Sequence, residues 1–152
     1  MLKGLIDLHS TLRWLIIIFI LWTLLVSIAG MGGKKVFGKN DKRPALFLLI
    51  CCDLQLLLGI ALYSMKGWFG VLTGGTAMAS NVNRFYSVEH AFGMLVAIVF
   101  VHIGYSSIKK NISDAAKFKR LFWFTFIALV LILATIPWPS RPEIGRPLFP
   151  GM

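Results

Sequence analysis

Between Trp14 and Gly33 the chain runs for 20 residues without an Asp, Glu, Lys or Arg. At 1.5 Å per helical residue that run matches the ~30 Å hydrocarbon core of a bilayer, and it constrains the fold more than any other feature. Three more apolar runs follow. Residues 44–65 hold one charge, Asp53; residues 85–108 are interrupted by Glu89, His90 and His102; the last run begins after Arg120 and ends at Pro137. Pro137 removes a backbone donor, and Pro137-Trp138-Pro139-Ser140 cannot continue a helix. Helices are the open-chain structures that satisfy their own backbone in lipid, and no run alternates as a barrel strand would. The reading is all-α: one membrane domain over residues 1–152, an up-down-up-down four-helix bundle with spans at about 5–31, 44–65, 85–108 and 120–137.

Composition agrees with this reading. Residues AVILMFWYC make up 57% of the chain and charged residues 14%, with a mean hydropathy of +0.78. A compact soluble domain of this length has too little interior to bury so much apolar surface. Lys3, ahead of an apolar stretch ending in Ser27-Ile28-Ala29-Gly30, has the outline of a secretory signal, but the segment is read as a retained span. Cys51 and Cys52 are adjacent inside one run and are read as small packing residues, not as a disulfide framework.

A net charge of +10 would point to nucleic acid in a soluble protein. Here the bases cluster between apolar runs, which assigns them to lipid headgroups and topology and excludes a nucleic-acid partner. Ten bases share one side: Lys34, Lys35, Lys39, Lys42 and Arg43 after span one, with Lys109, Lys110, Lys117, Lys119 and Arg120 after span three. The other side carries six, Lys3, Arg13, Lys66, Arg84, Arg141 and Arg146. The positive-inside rule then puts both termini and the Gly-rich loop around Gly67 to Asn83 outside the cytoplasm, in the periplasm of a bacterial inner membrane.

Ionisable groups within lipid are functional candidates because burying them is expensive. Spans one and three run in the same direction, and His9 and His90 each lie a few residues inside the outer end, at nearly one depth. In a square bundle these spans are diagonal, with axes roughly 14 Å apart, a gap that two imidazoles and a metal fill. Gly93 and Ala97, three and seven residues after His90, leave its face free of bulk for a flat macrocycle. Arg13, one turn after His9, is placed to meet a haem propionate, and Asp7, Ser10 and Glu89 are candidate partners for the free ring nitrogens. Each feature also has a packing explanation: an interfacial histidine, a small-residue helix contact, a charge at a helix end. Asp53 and His102 differ in depth by only about 5 Å. With Gln55 and the stripe Cys52, Gly59 and Tyr63, they suggest a quinone or proton path, or else interhelical hydrogen bonds holding the bundle.

The chain contains no P-loop, no dinucleotide-binding glycine pattern, no Cys-x-x-Cys-His and no His-Glu-x-x-His. The string His9-Ser10-Thr11-Leu12-Arg13-Trp14, with Glu89-His90, the basic inner loop before span four and Ile136-Pro137-Trp138-Pro139, resembles a family of small four-span bacterial membrane proteins labelled cytochrome b-like. The likeness covers most of the chain. It implies a haem-associated integral membrane protein, with His9, Arg13, Glu89 and His90 at the matching positions. A more distant likeness to small membrane protoporphyrinogen oxidases, which also carry a histidine near the start of span one, implies a haem-biosynthesis enzyme instead.

The leading expectation is a haem b protein with His9 and His90 as axial ligands, passing electrons to a quinone or a membrane redox partner, as a component of an oxidoreductase. Two alternatives stand beside it. One is a non-catalytic subunit or assembly factor in a homo- or hetero-oligomer; the other handles a metal or small molecule through a proton-coupled path of Asp53, His102 and Gln55.

Overall fold

The computed structural model describes residues 1–149 and is helical throughout its regular structure, with no strand among the described residues. The elements are α1 (Leu2–Gly30), α2 (Lys39–Met65), a short α3 (Trp68–Thr73), α4 (Asn81–Arg84), a π-helical turn (Phe85–Glu89), α5 (His90–Ser107) and α6 (Asp114–Thr135). From α4 through α5 the chain runs as one 27-residue helix, Asn81–Ser107. This helix, α1, α2 and α6 are each long and apolar enough to cross a membrane, so the molecule is a four-span membrane protein.

In the bundle α1 packs on α2 and α6, and α5 packs on α6 and, less extensively, on α2. This leaves α1 and α5 on opposite corners. The shared interior is built from Ile16, Ile20, Leu24, Leu48, Cys52, Ala97, Val101, Ala128 and Ile132. Thr23 and Ser27 are also buried, and each hydroxyl donates to the carbonyl four residues earlier, so neither leaves a donor unmet in an apolar core. Leu25, Leu57, Phe92 and Val130 point outward, the expected pattern where lipid is the solvent.

All four helices begin earlier than the apolar runs predict, α1 at Leu2 instead of 5 and the third at Asn81 instead of 85. Helix α2 starts at Lys39 instead of 44, because the Asp41 carboxylate accepts the Gly38 N–H at 3.0 Å and pairs with Lys35. Helix α6 starts at Asp114 instead of 120, with the Ser113 hydroxyl accepting the Ala116 N–H at 3.3 Å. Charges end the hydrocarbon crossing but not the helix. The 22 residues of α6 therefore rise ~33 Å, enough for a full span.

Candidate functional site

The site lies at the end of the bundle that carries the chain's beginning, the C-termini of α2 and α6, and the turn before α5. Its geometry starts with the π turn. The His90 N–H reaches back five residues to the Phe85 carbonyl, and Tyr63 of α2 donates its hydroxyl to the Ser87 carbonyl at 2.8 Å. One extra residue in a turn re-aims the side chains around it by roughly 100° relative to an uninterrupted helix. His90 follows directly, with the rings of Phe85 and Tyr86 centred 5.8 and 6.3 Å from its own.

His90 Nδ1 lies 2.8 Å from the Thr135 carbonyl oxygen at the end of α6. That carbonyl is free because Ile136 turns to extended geometry and the residue four positions on is Pro139, which has no N–H. A carbonyl only accepts, so Nδ1 bears the proton and the Nε2 lone pair is left available. The neighbouring terminal carbonyls are closed in the same fashion. Trp138 Nε1 donates to Leu133 at 2.8 Å and Arg141 Nη2 to Ala134 at 2.6 Å. Gly93 stands directly against the Thr135 side chain, and a Cβ there would collide with it. Gly93 therefore lets α5 pack on α6 and brings His90 within reach of Thr135, the helix-contact role that stands beside the macrocycle in the sequence reading.

His9 of α1 comes to the same place from the opposite corner. Its ring centroid is 6.4 Å from that of His90, with the planes at 62°. Gly59 of α2 lies alongside the His9 ring, and Gln55 Nε2 donates to the His9 backbone carbonyl at 3.0 Å. Three enclosed side-chain polar atoms lack a partner among the described residues: His9 Nδ1, Arg13 Nε and Gln55 Oε1. All three belong to this one neighbourhood. Orphaned polar atoms are rare in folded proteins, and their concentration here marks a place suited to a polar or coordinating ligand.

The other residues singled out in the sequence have different duties. Arg13 is buried and donates through Nη2 to the Leu148 carbonyl at 2.7 Å, which Trp14 Nε1 also reaches at 3.0 Å. Trp14 stacks on Phe149, so the segment after α6 is strapped across α1. Glu89 is exposed and pairs with Arg84 at 2.7 Å, away from any ring nitrogen. Asp53 and His102 meet at 2.8 Å between α2 and α5, each about half exposed. Gln55 does not join them: two residues after Asp53, it is rotated by about 200° on the helix and serves His9 instead.

Sequence reasoning missed the π turn, the bond from Tyr63 of α2 to Ser87 within it, the Thr135 carbonyl, and Leu148. The Pro137-Trp138-Pro139 string held one signal, since a proline four residues past Thr135 guarantees a carbonyl in need of a donor. Among the described residues no group of three or more His, Cys, Asp or Glu side chains could hold a metal ion. The imidazoles stand as a pair. Two imidazoles binding one metal at about 2.0–2.1 Å would have ring centroids about 6.3 Å apart, so His9 and His90 are the residues that would hold a metal-centred group here. Of the groups expected to cradle a macrocycle, Glu89 pairs with Arg84 and Gly93 packs on Thr135, while Arg13 gives Nη2 to Leu148 and leaves Nε unpartnered at the site. Comparison with protein-family models, with curated proteins and with solved structures finds no match for this chain.

Proposed function

We propose that this protein binds haem b in the membrane through His9 and His90 and serves as an electron-transfer component. The observation that carries the reading is the spacing of the two rings, 6.4 Å, contributed by helices at opposite corners of the bundle. The Thr135 carbonyl supports it by holding His90 in the tautomer whose Nε2 is free to ligate, the usual role of a partner behind a metal-binding imidazole. Haem held this way supplies reversible one-electron chemistry. The chain's own contribution is to fix His90 against α6, to place His9 at the same level, and to close the surrounding backbone carbonyls against water. The distribution of bases supports an orientation with both termini periplasmic in a bacterial inner membrane, ten bases facing inward against six outward.

The test is a visible spectrum of protein purified with haem available, oxidised and then reduced with dithionite. A Soret band with sharp reduced low-spin bands is expected, lost in both His9→Ala and His90→Ala. Wild-type protein without a Soret band defeats the reading.

A second reading is a packing or assembly subunit, favoured by the His90–Thr135 bond, which closes the end of α6 whether or not any group binds. It predicts that both alanine variants still co-purify with a partner and still support that partner's activity.

A further inference from the structure

At the other end of the bundle, a cleft of about 380 Å³ opens between α5 and α6, lined by His102, Ile103, Ser106, Ser107, Lys110, Arg120 and Phe124. We infer that this cleft binds the phosphate of an anionic phospholipid, with Lys110 and Arg120 holding the headgroup and Ile103 and Phe124 lining the path of an acyl chain.

Depth is the first argument. The apolar run of α5 ends at Ile108 and that of α6 begins at Leu121, so Lys110 and Arg120 stand at the headgroup boundary. Ile103 and Phe124 lie farther along their helices, towards the hydrocarbon. The cleft therefore changes from cationic to apolar in the same order as a lipid does.

Charge is the second argument. Of the other eight bases near this end, four already have partners, and the remaining four, Lys34, Lys39, Arg43 and Lys119, do not line the cleft. Lys35 pairs with Asp41 and Lys117 with Asp114, while Lys42 and Lys109 lie over the Tyr105 ring. Lys110 and Arg120 form no ion pair or ring contact among the described residues, and both are exposed. The Ser106 hydroxyl also makes no hydrogen bond there and adds a donor to the same wall. Ser107 is spent, donating to the Gly104 carbonyl at 2.7 Å. Two unneutralised cations and a free hydroxyl above an apolar floor, set between membrane helices, form the arrangement that recognises anionic headgroups.

The floor is built by close approach. A Cβ on Gly104 would lie 3.1 Å from Phe124 Cβ, so α5 and α6 touch here and Phe124 is held in place. The site is independent of the histidine pair and of any haem.

The experiment is native mass spectrometry of the full chain in a neutral detergent, titrated with phosphatidylglycerol or with phosphatidylcholine. Wild type is expected to retain phosphatidylglycerol at least tenfold more strongly, with inorganic phosphate at millimolar concentration failing to displace it. The double variant Lys110→Ala/Arg120→Ala should lose that preference, Lys110→Arg/Arg120→Lys should keep it, and the control Lys34→Ala/Lys39→Ala should leave it intact. Equal retention of the two lipids by wild type overturns the proposal without recourse to any variant. So does an equal loss in the control, which would reduce the effect to net charge, and so does displacement by phosphate, which would mark a free-anion site.

Discussion

Both ends of the bundle hold ion pairs and cation–ring contacts, Arg84 with Glu89 and Arg141 over Phe85 among them at the histidine end, but they differ in how much of their closure runs to the main chain. At the histidine end, side chains donate to backbone carbonyls: Arg13 and Trp14 to Leu148, His90 to Thr135, Trp138 to Leu133, Arg141 to Ala134, Tyr86 to Ile144, Tyr63 to Ser87 and Gln55 to His9. At the basic end, flexible ammonium groups meet carboxylates and rings: Lys35 with Asp41 and Phe118, Lys117 with Asp114 and Phe37, Lys42 and Lys109 with Tyr105. Bonds to the main chain fix one geometry, because the acceptor cannot swing away. Surface ion pairs on long stems tolerate many geometries and contribute little each. The molecule thus keeps its positional accuracy where the imidazoles meet and its more adaptable charge pairs at the basic end.

Substituting the two histidines separately is the largest test of that contrast. Both variants are expected to lose haem absorption completely, yet they should part company in stability. His90→Ala strands the Thr135 carbonyl at a cost of about 1–3 kcal/mol in thermal or denaturant unfolding. His9→Ala removes a ring nitrogen that has no protein partner and should cost less than His90→Ala. Equal losses would show that His9 is held by contacts as specific as those of His90.

Gly93→Ala comes next. The new methyl group meets the Thr135 side chain, so α5 and α6 must separate, costing about 1–3 kcal/mol and pulling His90 off its carbonyl. Unchanged unfolding would mean that the two helices are not tightly apposed there. Tyr63→Phe, which deletes the hydroxyl holding Ser87, should cost about 0.5–1.5 kcal/mol in unfolding. The smallest effect belongs to the basic end. Lys117→Met leaves the Ser113–Ala116 cap in place and should shift stability by about 0–1 kcal/mol, with a still smaller effect in high salt. A loss there as large as that of Tyr63→Phe would erase the distinction between the ends.

The sequence made the spans legible because lipid imposes length and polarity directly on the residue order. It also made legible that His9 and His90 lie at one level on diagonal helices, since depth and corner follow from counting residues and turns. The helix starts at Lys39 and Asp114 were hidden because a charge marks where hydrocarbon ends, whereas the helix obeys its caps. The rotation of His90 was hidden too, since it depends on the π turn before it, and nothing in Phe85-Tyr86-Ser87-Val88-Glu89 announces an extra residue. The stripe of Gln55, Gly59 and Tyr63 follows helical spacing and meets the histidine site, whereas Asp53, joined to it in the sequence reading as one possible route, belongs to another face of α2. On a helix, two residues apart is nearly the opposite face.

The bond from Arg13 to Leu148 joins residues 135 positions apart. During synthesis the first span enters the bilayer carrying a guanidinium whose carbonyl acceptor does not yet exist, and all four spans must be made before it does. Final locking of the bundle is therefore post-insertional: until Leu148 arrives, the nascent protein holds its first helix with a cation seeking water or a headgroup.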